Sequence, residues 1–106
     1  MEETEFVALA EQTLERIEAS LEESGVDADV QLKPGGVIEI EYADGSKMII
    51  NRHAAAREIW VAARSGGFHF RWDGNAWRDT RDGTELFAAL SKLVSAQSGQ
   101  AVRLHP

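Results

Sequence analysis

The chain has 106 residues, 43% of them hydrophobic and 27% charged, with eighteen acids, eleven Lys and Arg, and no cysteine. That is one globular domain, residues 1–106, able to bury roughly 60–70% of its unfolded surface. Without cysteine, disulfides and thiolate metal sites are excluded, and a net charge of −7 disfavours nucleic acid and anionic membranes as partners.

The spacing of Phe6, Leu9, Leu14, Ile17 and Leu21 predicts an amphipathic helix over about residues 4–23. Thr4 is a candidate N-cap and Gly25 a candidate stop. The acidic start, Met1 to Glu5, offers no apolar run for a secretory signal or a membrane span. The expected compartment is therefore the cytoplasm. Strands follow. Val26–Leu32 is a weak one. Val37–Tyr42 alternates, with Ile38, Ile40 and Tyr42 on one side and Glu39 and Glu41 on the other. The turn at Ala43-Asp44-Gly45 decides how the next strand, Ser46–Arg52, pairs. A three-residue loop with Gly45 left-handed sets Ile40 beside Met48 and Ile38 beside Ile50. A two-residue loop would turn every side chain over. Arg57–Arg64 gives a strand with Ile59, Val61 and Ala63 inward and Glu58, Trp60, Ala62 and Arg64 outward. Gly66-Gly67 is expected to turn the chain. Phe68–Trp72 and a short Ala76–Asp79 complete the set. A last helix runs from about Thr84 to Gln97, with Asp82 or Thr84 as cap. The order and the short links predict an α+β fold: a two-layer α/β sandwich with N- and C-terminal helices on one face of an antiparallel sheet of about six strands.

Charge is unevenly placed. Residues 1–44 carry thirteen acids against Arg16 and Lys33, a local charge of −11, whereas the remaining 62 residues sum to +4. On the first helix Glu11, Glu15, Glu18 and Glu22 recur at i+4, i+3 and i+4. They form a stripe pointing away from the apolar face. Like charges at such spacings cost a helix about 0.2–0.5 kcal/mol per pair, and Arg16 is the one base expected to relieve them. Glu23, Asp27 and Asp29 extend the stripe beyond the helix end. Two readings are open: a solvated face that keeps the protein soluble, or a ridge that attracts hard cations or a basic protein surface. No EF-hand or Glu-x-x-His pattern is present, so binding would be weak and spread over several carboxylates.

Trp60 falls on the outer side of its strand with Glu58 and Arg64, where a tryptophan suits protein contact. Asn51, Ile49, His69 and Arg71 are expected on the same surface. Trp72 and Trp77 fit the core. His53, His69 and His105 look scattered. No nucleophile elbow, P-loop or dinucleotide fingerprint occurs, and the expectation is a protein that is not an enzyme.

The runs Gly36–Ile40, Asp44–Arg52, Ile59–Ala62 and Gly66–Phe70, in this order and spacing, resemble the frataxins, most closely the bacterial CyaY-type members. The likeness spans nearly the whole chain, from Glu5-Phe6 to Asp82-Gly83. Glu58 departs from it, standing where glutamine is usual. The resemblance implies weak binding of iron, Fe2+ or Fe3+, on a ridge of Glu11, Glu15, Glu18, Glu22, Glu23, Asp27 and Asp29, with other divalent cations also accepted. It implies a regulatory role in iron–sulfur cluster assembly, with a cysteine desulfurase and its scaffold protein as partners. Partner contacts are expected from Glu18 and Glu22 on the ridge and from Asn51 and Trp60 on the sheet. A monomer is expected, with an iron-dependent oligomer as the variant. Competing expectations are an iron store or ferroxidase and an acidic interaction module indifferent to iron; a haem or small-ligand binder using His53 or His69 ranks below both.

Overall fold

The computed structural model describes residues 1–106. Helix α1 runs over Glu3–Ser24 and buries Phe6, Ala10, Leu14, Ile17 and Leu21, one side chain per turn. It starts earlier than the Thr4 cap predicted. The Phe6 N–H already donates to Glu2 O at 2.9 Å, so Glu2 is the N-cap and Thr4 lies inside the first turn. Glu3 and Glu5 there favour the positive end of the helix dipole. Gly25 closes the helix with its N–H on Glu22 O.

Six strands follow: β1 Ala28–Lys33, β2 Val37–Tyr42, β3 Lys47–His53, β4 Glu58–Ala63, β5 Gly66–Trp72 and β6 Trp77–Asp79. Helix α2, Leu86–Ser98, comes last. The strands pair antiparallel in chain order in one open sheet. Ile40 faces Met48 and Ile38 faces Ile50, with Glu41 opposite Lys47, as the three-residue loop requires. Gly45, at φ 84, supplies the left-handed residue of that loop. The β4–β5 turn differs from expectation. Gly66 and Gly67 are already in β5, paired with Ala63 and Ala62, and the turn is Arg64-Ser65.

Both helices cover one face of the sheet. The core between the layers holds Phe6, Ile17, Ile38, Ile40, Ile50, Ile59, Phe70, Leu86 and Leu90, among others. Trp77 belongs to this core, edge-on to Phe6, and its Nε1–H donates to Thr13 Oγ1 at 2.9 Å. Trp72 is half-buried at the margin beside it. The cap of α2 is neither Asp82 nor Thr84. Glu85 takes that place, its carboxylate accepting from Phe87 N at 2.8 Å and Ala88 N at 3.1 Å. Asp82 instead accepts from Thr84 N in the preceding turn.

Beyond α2 the tail lies against both helices and buries Val102 and Leu104. Serines clamp it: Ser95 Oγ accepts from Val102 N, Ser91 Oγ from Leu104 N, and Ser20 Oγ from His105 N at 2.8 Å. The buried Ser20 on α1 is thereby satisfied. No helix is long and apolar enough to cross a membrane.

Candidate functional site

The seven ridge carboxylates lie along α1 and on into β1. Glu11, Glu15 and Glu22 are exposed, as are Glu23, Asp27 and Asp29, while Glu18 is half-buried. Glu11 and Glu15 overlook a shallow groove against the β1–β2 turn, bordered by Leu32, Lys33 and Gly36. At the other end Asp27 is anchored through its backbone, whose N–H donates to Gln100 Oε1 at 2.8 Å. Asp29 accepts from Gln31 Nε2.

Two of the seven are already paired. Arg16 donates to both Glu23 oxygens, at 2.9 and 3.3 Å, and its guanidinium holds the Glu23 carboxyl below the usual range. Arg16 also donates from Nε to His105 O, so it is drawn toward the tail and away from the stripe. Arg52 of β3, not foreseen as a partner, reaches Glu11. Arg16 is thus not the one base that relieves the ridge. Glu15, Glu18, Glu22, Asp27 and Asp29 have no ion-pair partner.

One neighbouring acid outside the ridge is neutralised. Glu39 on β2 sits between Lys33 at 3.0 Å and Lys47 at 3.6 Å, and the Lys33 hydrogen bond leads in lowering its pKa. The unpaired carboxylates of the ridge lie at the α1–β1 edge. No three acids or histidines converge closely enough to cage a metal ion. The donor set fits hard cations taken singly or in pairs, with water completing the shell.

The open face of the sheet carries the second feature. Trp60 stands between two imidazoles: His53 at 3.7 Å between centroids and 10° between planes, and His69 at 4.3 Å and 7°. The histidines are not scattered, apart from His105. Trp60 pairs directly with His69 and with Asn51 across its two neighbouring strands. His53 completes the stack from the diagonal position. That register was the signal that could have revealed the stack.

Glu58 holds this group together. It lies on the outer face as predicted, yet its side chain is 7% exposed. Its Oε1 accepts from Trp60 Nε1 at 2.9 Å and its Oε2 from Arg71 Nη2 at 2.6 Å; His69 Nδ1 lies 3.7 Å from Oε1. A glutamine in this pose would set its NH2 against one of these donors, so the glutamate is suited to join both. Asn51 lies beside the stack, with its Nδ2 turned to Arg52 O at 3.2 Å. The structure therefore separates the predicted site residues into two groups. The seven carboxylates line one edge; Asn51 and Trp60 are on the open face.

Such a molecule is a two-layer sandwich with an anionic helix–strand edge and an aromatic platform on its uncovered sheet. A family model for the frataxin-like domain matches residues 1–100, and the chain belongs to that family. It is 62% identical to the iron-sulfur cluster assembly protein CyaY of Dechloromonas aromatica over 104 residues, 98% of this chain and 99% of the relative. The protein of that name from Cupriavidus necator is 53% identical over 107 residues, 98% of this chain and 96% of its own. Among solved structures, the frataxin of Psychromonas ingrahamii superposes with a TM-score of 0.90 at 32% identity over the whole of both chains. A trimeric frataxin of Saccharomyces cerevisiae, complexed with ferrous iron, gives 0.72 at 28% identity over 86% of each chain.

Proposed function

We propose that this protein is an iron-binding regulator of iron–sulfur cluster assembly. Its ridge takes up iron weakly and also docks on a basic surface of a cysteine desulfurase. The scaffold protein meets Asn51 and Trp60 on the open sheet. The observation that carries this reading is the edge of five carboxylates without ion-pair partners, Glu15, Glu18, Glu22, Asp27 and Asp29. Carboxylates kept side by side repel each other, so any arriving positive charge, ion or guanidinium, relieves the edge. The names of its relatives, and the ferrous complex of the yeast frataxin, support iron–sulfur assembly as the setting. With no cysteine of its own, the chain would leave sulfur transfer to its partners. Iron is cargo or signal here, and no reaction step is assigned to the protein. Cytoplasmic localisation belongs to the same proposal.

The test pairs a desulfurase assay with a binding measurement. Desulfurase rate should depend on this protein, and the dependence should change with Fe2+ concentration. The double variant Glu18→Lys, Glu22→Lys should lose desulfurase binding by at least tenfold while its circular dichroism and melting stay like wild type. Unchanged affinity in that variant would sink the docking reading. Turnover in aerobic Fe2+ oxidation by the isolated protein would point instead to a ferroxidase.

A further inference from the structure

One basic side chain reaches the ridge from a distant part of the chain. Arg52 extends from β3 toward α1 and donates from Nη1 to Glu11 Oε1 at 2.5 Å. The Arg52 side chain is 22% exposed and that of Glu11 56%, so the guanidinium arrives from the enclosed side. Its path depends on Gly36. A Cβ there would lie 2.7–2.8 Å from Cγ, Cδ and Nε of Arg52. Gly36 also sits at φ 77, where a side chain is disfavoured in any case. The Gly36 carbonyl accepts the Arg52 backbone N–H at 3.0 Å, which fixes the root of the side chain. The stem is thus led over a residue without a side chain, and its charged end rests on the first carboxylate of the ridge.

We propose that Arg52 is a resident competitor for cations at the N-terminal end of the ridge. The inference rests on the ridge-binding reading above and adds an order to it. A metal ion at Glu11 competes with the Arg52 guanidinium, as one at Glu23 competes with Arg16, whereas Glu18, Glu22, Asp27 and Asp29 hold no competing ion pair. The ridge fills first at the unpaired carboxylates of the Glu18–Asp29 end, and Glu11 enters after them. Gly36 and Arg52 are positioning residues in this scheme; neither touches the ion.

Mn2+ titration of the 15N-labelled full chain tests it through paramagnetic broadening of backbone amides. In wild type, amides near Glu18–Asp29 broaden at lower Mn2+ than those near Glu11. Arg52→Met keeps an apolar stem and removes the guanidinium. It should bring half-broadening near Glu11 to about two- to fivefold lower Mn2+, the worth of an exposed ion pair, with the Glu22–Asp29 profile unchanged. Lys92→Met removes the same charge from an exposed position on α2 and should alter no site selectively. Arg52→Gln repeats the measurement with a second stem, and the wild-type order needs no variant. Glu11 broadening first in wild type overturns the proposed competition by Arg52. So does an unshifted Glu11 in both Arg52 variants while Glu18–Asp29 respond normally; the ridge reading then stands. No broadening anywhere along Glu11–Asp29 overturns the ridge reading and the competition by Arg52 together.

Discussion

Single side chains in this protein are held by environments that their sequence neighbours do not reveal. Glu58 alternates with inward residues and belongs by pattern to solvent, yet one tryptophan and one arginine enclose it. Tyr42 shows the reverse case, an inward residue with an ionisable group. Burial pushes its phenol from 10.0 up to about 12, because the interior disfavours phenolate. The folded value lies above the unfolded one, so the associated stability is complete below pH 10 and is lost as pH rises through 12. Tyr42→Phe should therefore lose less stability than wild type between pH 10 and pH 12, read from urea midpoints at the two ends of that window. The cost at neutral pH should be small, since the hydroxyl makes only a long contact of 3.8 Å with Met48 Sδ. Parallel losses in the two proteins would show that Tyr42 is not the group responsible.

At the scale of elements, helix ends decide more than helix middles. The apolar periodicity of α1 and α2 settles which face each one buries. Their starts are settled by which group reaches the free N–H groups. For α2 that group is Glu85, a residue less favoured at such positions than Asp82 or Thr84. Its longer side chain still spans to Phe87 N and Ala88 N. Glu85→Ala should lower stability by about 1 kcal/mol, seen as a reduced melting temperature, while Asp82→Ala should affect the preceding turn and leave those two N–H groups capped. Equal effects on amide protection at Phe87 and Ala88 would contradict this assignment. The strands follow similar logic. The β2–β3 register is forced because only one loop length puts Ile38, Ile40, Met48 and Ile50 on one side.

For the molecule as a whole, charge separation is the dominant property. The acidic first 44 residues supply α1, β1 and β2, and the basic remainder supplies Arg71 and the two stacked histidines of the open face. Partner docking through the ridge should weaken steadily as salt rises from about 0.05 to 0.3 M, because exposed charges are screened over about 10 Å at 0.1 M. Contacts made by the Trp60 platform should resist the same change, since stacking and burial are not screened. Desulfurase affinity across that salt range, set beside scaffold affinity with and without Trp60→Ala, separates the two surfaces. A flat salt profile would remove the ridge from the docking interface.

How much of this was legible beforehand differs from residue to residue for a physical reason. The two helices, the strand order, the facing of Ile40 and Met48, and the stripe of Glu11, Glu15, Glu18 and Glu22 are encoded within a few residues of each other. Helical and extended periodicities alone project them onto faces. The Arg52–Glu11 pair joins residues 41 apart, the tail is pinned by Ser20 from 85 residues away, and the His53–Trp60–His69 stack needs three strands in register. Those contacts depend on how the helix lies across a twisted sheet and on how far each side chain then has to reach. No local pattern carries that information, so the anionic edge could be read from the chain, while the arginine seated on it emerged only once the layers were packed.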